Sequence, residues 1–558
     1  MILPVFPLTV LAQNQNPGQD FTAKIQAALT GDRNAAQALR EAGPPGLAAL
    51  LAAAADQVSA LRLNKIRLEA PENTELRAAI DAVAGQRDAY ASGLYWFTDL
   101  EAAKTEARKT RRPILSLRLL GNLNEEYSCA NSRFFRTVLY ASAGVSKELR
   151  DHYVLHWKSV RPAPLLTIDM GDGRRIKRTI TGNSIHYLLD PEGYVLDALP
   201  GIYSPQAFLA ALGRAAFGTQ EAKRGDDPLW RVTGSQSFSA AGNDEIMGAI
   251  REWHGREAHN LCTEWLGAAI RAGSYDREFT PSKATLEDIA GKVFGSAFPQ
   301  SSGYKTASSS LTFTQSLPLE EWQTLRFGKA LSPNNSAIVP LIPVESPPGN
   351  VNPPAAPHPE VIREFPYPTE FDPPKAMVER PIIQRTVPQS GALPAQDPAS
   401  PARSGPSLAE RMTPALWSRI AEPFQATVAL DESSRRFMMQ KLPAEIISPS
   451  ENTSGTADSD QSPFGRQLQR FEAAIGRDMV RNEYYYHNRI HQWLEEDRDG
   501  KFSRDVEALN RRIYQELFLT PDYDAWLGLV PEDTYTALEK DGCACDKGAP
   551  SMRQTAKP

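Results

Sequence analysis

Cysteine is scarce: Cys129, Cys262, Cys543 and Cys545 are the only four in 558 residues, which excludes a disulfide-built scaffold. Long apolar runs are missing as well. None approaches the roughly 20 residues that span a bilayer, so no transmembrane segment is expected. Nor is there an excess of positive charge, since 61 Lys and Arg against 67 Asp and Glu leave a formal charge of −6. A nucleic-acid binder carries a strongly basic domain, so nucleic acid is not expected as a partner. The chain also lacks a phosphate-cradling Gly-rich loop, a Gly-x-Ser-x-Gly elbow and a His-Glu-x-x-His motif, and no cofactor is assigned to it.

Proline is abundant, and unevenly so. Nineteen of the 44 prolines lie between Pro333 and Pro406, a composition that reads as an extended, disordered linker over 331–406. The chain is too long for a single hydrophobic core, and the linker divides it. Residues 1–16 form an N-terminal tail. Its first twelve, MILPVFPLTVLA, fit either a secretory signal without its basic start or an apolar tail. The expected location is therefore secreted or periplasmic, with the cytoplasm as the alternative.

Residues 17–94 read as a helical cap, in Ala- and Leu-rich segments broken at Gly31-Asp32 and Gly43-Pro44-Pro45-Gly46. Residues 218–330 are mainly helical; one segment places Ile246, Ile250, Trp253, Leu261 and Trp265 at helical multiples. Residues 407–540 read as a helical C-terminal domain. Its long helix lines up Leu468, Phe471, Ile475, Met479, Tyr486, Ile490 and Trp493, and a following helix starts near Ser503 as N-cap. Residues 541–558 form a flexible tail.

Between these helical regions, residues 95–217 alternate helical patterns with short strand-like runs: PILSLRLL, YVLHWKSV, LLTIDM, RIKRTI, SIHYLLD and YVLDALPG. Gly171-Asp172-Gly173 and Asp190-Pro191-Glu192-Gly193 are turn sequences that close two hairpins. The order is a helix LEAAKTEARKTRR, a strand, Cys129-Ala130-Asn131-Ser132 opening the helix SRFFRTVLY, a further helix and strand, a hairpin and a closing helix. This order resembles the thioredoxin-like superfamily over about a fifth of the chain. The resemblance implies an α/β thioredoxin-like domain flanked by all-α N-terminal and C-terminal regions.

It also implies where chemistry would sit. Redox-active members carry two cysteines in this loop, one to attack a disulfide and one to resolve it. Here Cys129 holds the first position, and its place at a helix N-terminus favours the thiolate. Ser132 holds the second, so a self-resolving dithiol cycle is excluded. The family places a cis-proline before the strand facing the thiol, where this chain has Ser184. A cis bond before a residue other than proline costs about 2.5–4 kcal/mol, so a trans loop is expected. Cys129, Ser132 and Ser184 are the candidate catalytic positions. The hairpin at 165–180 is an insertion placed to cover the docking edge. This block also carries 17 Lys or Arg against 12 Asp or Glu, which suits either a solvated surface or an acidic partner.

Other constellations are sparser. Glu483, His487 and His491 stack at intervals of four on one helix, a spacing that metal ligands use, but packing and hydrogen bonding are the preferred reading and no metal is assigned. His254, Glu257, His259 and Cys262 fan around the middle helix and read as structural. The loop EEDRDGKFSRDVE places acids and Gly500 like a calcium loop, but Val506 stands where the bidentate glutamate belongs. With both hallmark positions altered, the expected function is a non-catalytic binding or assembly protein that joins two modules through the linker and has a protein partner. The alternative is a monothiol thiol–disulfide oxidoreductase or redox sensor using Cys129.

Overall fold

The computed structural model describes residues 21–65, 70–215 apart from 170, 174, 180 and 181, then 243–273, 414–441, 463–518 and 520. The N-terminal tail, the proline-rich segment, the last residues with Cys543 and Cys545, and most of 218–330 lie outside the described residues.

The N-terminal region is helical: α1 (Thr22–Leu29), α2 (Arg33–Glu41), α3 (Pro44–Ala53), α4 (Ala55–Arg62), α5 (Pro71–Ala84) and the short α6 (Ala89–Ser92). The breaks in this region have local causes. Asp32 caps α2 by accepting from the Asn34 and Ala35 amides. Gly43 takes φ 75° ahead of Pro44 and Pro45, which open α3 without spending an amide. At Gly46 a side chain would run into the Leu39 carbonyl, so only glycine lets α3 approach α2 this closely. Leu39, Leu47, Leu50, Leu61, Leu76, Ile80 and Val83 fill the core of this layer.

Next comes a mixed α/β region. It contains β1 (Trp96–Phe97), α7 (Leu100–Thr110), β2 (Ile114–Leu120), α8 (Ala130–Phe134), α9 (Ala143–His152), β3 (Val154–Arg161), β4 (Leu165–Asp169), β5 (Arg175–Thr179), β6 (Ser184–Leu189), β7 (Val195–Pro200) and α10 (Pro205–Ala215). Five strands form one sheet in the order β1-β3-β2-β6-β7. β1 and β2 run parallel to β3, whereas β6 is antiparallel to β2 and β7 to β6. β4 and β5 pair apart from it as a hairpin. β2, β6 and β7 are buried along their whole length, which matches their near-continuous apolar runs.

The remaining helices among the described residues are α11 (Asn243–Gly273), α12 (Pro414–Ala421), α13 (Gln425–Val428), α14 (Glu432–Gln440), α15 (Pro463–Arg481), α16 (Asn488–Glu496) and α17 (Val506–Arg512). They do not bury their apolar faces only against one another. Ile250, Trp253, Leu261, Trp265, Leu468, Ile475, Met479, Ile490, Trp493, Leu509 and Ile513 join the same buried cluster as Leu117, Tyr187 and Leu199 of the sheet. The fold is thus broadly α/β, with the C-terminal helices and the sheet sharing one core. The N-cap expected at Ser503 is Asp505 instead, which accepts from the Glu507 and Ala508 amides. Ser503 is buried, and its hydroxyl goes to Asp497. Among the described residues no helix is long and apolar enough to cross a membrane.

Asp88 locks several of these layers together. It sits at φ 60°, a left-handed conformation that a side-chain residue seldom adopts. Its buried carboxylate reaches Lys441 at 2.7 Å, Arg136 at 3.4 Å and Arg77 at 3.5 Å. Burial alone would raise its pKa, but Lys441 and the two arginines outweigh that and hold the carboxyl well below the usual carboxylate range. Removing it leaves the buried Arg136 uncompensated. Asp88→Ala is therefore expected to cost about 3–5 kcal/mol by urea denaturation, whereas breaking the exposed Lys147–Asp151 pair with Lys147→Ala leaves the curve almost unmoved.

Candidate functional site

The loop before α8 places Cys129 at the N-cap of that helix, as the sequence order implies. The thiol is fully buried. Its neighbours in the motif spend their polar groups inward. Ser132 donates to the Ser128 hydroxyl at 2.8 Å, and the Asn131 amide donates to the Ser184 hydroxyl at 2.5 Å. The three candidate positions thus belong to one buried patch, joined by Asn131 on α8 and Ser184 at the start of β6. No cis peptide bond occurs among the described residues, so the Ser184 loop is trans. Arg133 and Arg136 also turn inward, Arg133 to the Ser128 carbonyl and the Thr179 hydroxyl, Arg136 to Asp88 and the Glu126 carbonyl.

The C-terminal helix reaches this edge, as does the 165–180 hairpin. The hairpin touches the loop through Thr179 at its base, while Leu165 is exposed. The π-helical stretch Ile513–Leu517 that continues α17 brings Tyr514 over the patch, where its hydroxyl donates to the Asn183 carbonyl at 3.1 Å. Tyr514 is close enough to feel charge on Cys129. Burial first, and Cys129 second, push the phenol well above its ordinary pKa. Around it, Asn183 donates to the Thr520 hydroxyl, Arg161 to the Thr520 carbonyl and Tyr187 to Asn510. Glu507 of α17 pairs with the buried Arg118 at 2.8 Å and with Lys158 at 3.2 Å.

A second polar cluster lies where β7 meets α11 and the C-terminal helices. His487 ends the π-helical stretch Asn482–His487 between α15 and α16. One ring nitrogen, Nε2, faces Asp197 Oδ1 of β7 at 2.8 Å, and Nδ1 faces Glu483 Oε2 at 3.0 Å. Burial would lower the pKa of this histidine, but the Asp197 and Glu483 carboxylates prevail and hold it up at about 9. Glu483 also accepts from Tyr203 and Arg214, each at 2.8 Å. The His491 ring stacks on His487 with centroids 4.1 Å apart, and its Nδ1 meets His254 Nδ1 of α11 at 2.6 Å. Ligand atoms of Asp197, His487 and His491 all lie within 4.8 Å of one another.

No family model matches this chain, and neither does any curated protein or solved structure. Function has to be read from the geometry.

The structure brings His487, His491 and Glu483 together as their spacing suggests. Glu483, however, is taken up by Tyr203, Arg214 and the far side of His487. Two members of the cluster are absent from the sequence reading of this site. Asp197 had a signal: it is the one charge inside the apolar run of β7. His254 had a weaker one, falling four residues after Ile250 and seven before Leu261, on the buried stripe of α11. Glu257 and His259 of the same helix are only partly buried. In the loop compared with a calcium site, Asp497 Oδ2 accepts from the Phe502 and Ser503 amides and the Ser503 hydroxyl, so that oxygen serves the turn.

Buried neutral histidines give the fold a defined acid response. Burial pushes His186 down to about 3, and its Nε2 meets the Tyr140 hydroxyl at 2.7 Å. In the unfolded chain the same ring titrates near an ordinary value of about 6.5. Its contribution is therefore complete above that pH and is lost as pH falls toward 3, because only the unfolded state takes up the proton. His186→Phe is expected to flatten the unfolding free energy against pH in that window by about 1.4 kcal/mol per pH unit, read from urea melts at several pH values.

Proposed function

We propose that this chain is a thioredoxin-like binding or assembly protein that has given up thiol–disulfide chemistry. The observation that carries the reading is the burial of Cys129 beneath the chain's own C-terminal helix. A disulfide can be attacked only if its sulfur approaches the thiolate in line, and Tyr514 and Thr520, both hydrogen-bonded to Asn183, occupy the neighbourhood such a substrate would need. The strand order β1-β3-β2-β6-β7, with its parallel half and antiparallel half, supports the thioredoxin-like assignment. So does the position of Cys129 at the start of α8, with Ser184 facing it through Asn131.

The sheet and the C-terminal helices share a core, which favours a particular form of the reading. Helix α11 ends at Gly273 and α12 begins at Pro414. The proline-rich sequence between those two helices is the part we assign to a protein partner.

The test is alkylation of the native full-length chain, with Cys129 followed by mass spectrometry, beside an insulin-reduction assay. Labelling roughly 100-fold or more slower than in denatured protein, with no insulin reduction above background, is the expected result. Tyr514→Ala is expected to speed labelling. Fast labelling of the native thiol at neutral pH, abolished by Cys129→Ser, would instead establish the monothiol oxidoreductase or sensor.

A further inference from the structure

We infer that Asp197, His487 and His491 form a buried binding site for a divalent transition-metal ion, with zinc the simplest occupant. The three side chains come from the edge strand β7, from the π-helical stretch 482–487 and from α16, and their ligand atoms converge within 4.8 Å. Each side chain is almost wholly buried.

The surroundings of the two imidazoles are those of ligating histidines. A metal-bound histidine ordinarily donates its other ring N–H to a carboxylate or another acceptor, which sets the tautomer and the ring orientation. His487 places Nδ1 on Glu483 and so presents Nε2 toward Asp197. Glu483 is itself anchored by Tyr203 and Arg214, forming a carboxylate–histidine pair of the kind that supports metals. His491 turns its Nδ1 onto His254, a contact that fixes the orientation of its ring.

Ligands held at about 2.0–2.2 Å from one tetrahedral ion stand roughly 3.3–3.6 Å apart, so an ion that displaces the proton from His487 Nε2 widens its 2.8 Å contact with Asp197 Oδ1 by about half an ångström. The two Nδ1 atoms of His254 and His491, 2.6 Å apart, are closer than an ordinary nitrogen–nitrogen hydrogen bond and relax outward when His491 is drawn to an ion.

The donor set also narrows the metal. Two imidazoles and a carboxylate suit zinc and its divalent neighbours, and a π-helical insertion is a common way to aim side chains at such a site. The nearby Cys262 accepts from Asn488 at 3.6 Å, and burial pushes its thiol up to about 12, so it stays protonated and supplies no soft ligand.

The experiment uses the full chain purified without a histidine tag. Metal analysis, zinc titration after chelator treatment and cobalt substitution are measured on the same sample. The expected result is about one equivalent of metal per chain and a cobalt spectrum of a low-coordinate nitrogen and oxygen site. Glu483→Gln is expected to weaken zinc binding about 10–100-fold, and His491→Gln to abolish it, while His259→Gln on α11 changes nothing. X-ray absorption at the zinc edge guards against variants that fail to fold. A first shell of nitrogen and oxygen with at least two imidazoles supports the site, whereas a sulfur shell would place the metal on Cys543 and Cys545 and overturn it. Wild-type protein that carries no metal and binds neither zinc nor cobalt overturns it as well.

Discussion

The ring of His487, with a carboxylate on each nitrogen, is the interaction on which the joining of the two halves rests. Asp197 belongs to the last strand of the sheet, Glu483 and His487 to the C-terminal helices. Burying any one of these groups alone would cost several kcal/mol. Together they satisfy one another, and Tyr203 and Arg214 close the network from the sheet side. Around it the contacts become intimate. Gly201, at φ 78°, sits against Asn482, whose amide donates to the Ile202 carbonyl. The Val195 amide donates to the Ser503 carbonyl. The C-terminal segment thereby covers an edge strand that would otherwise offer unpaired backbone to another chain.

The same docking explains the state of the thiol loop. Once α15 and α16 are seated against β7, α17 follows across the opposite part of the sheet, where Glu507 meets Arg118 and Tyr514 reaches Asn183. Arg118 is a charge on a central strand, tolerable there because Ser116 and Glu507 take its guanidinium nitrogens. The loop that carries Cys129 is thus an interior surface in this chain, and its polar residues serve packing. Asp88 plays a comparable part on the other side, where cations from α5, the helix after Cys129 and the end of α14 converge on one carboxylate.

Much of the fold was legible in the sequence because its signals are local. The run PILSLRLL became β2, the glycine-bearing turns closed both hairpins, and the Gly-Pro-Pro-Gly break separated α2 from α3. The stripe from Leu468 to Trp493 marked a nearly continuous helix. Local signals also misled where two residues compete for one role. Ser503 and Asp505 both qualify as caps, and only the burial of Ser503 against Asp497 settles the matter.

The site was legible only in part, for a physical reason. The spacing of Glu483, His487 and His491 on one helix is a property of sequence, since residues four apart share a helical face. Their partners are not. His254 meets His491 across 237 residues of chain, and Asp197 meets His487 across 290. Sequence by itself determined the order of strands and helices and placed Cys129 at the mouth of a helix with serine as its companion. Tertiary structure alone decided that the thiol lies beneath Tyr514 and that β7 carries an aspartate into a nest of histidines. Those outcomes depend on which buried charges find partners, and pairing over such distances is set by packing, not by local pattern.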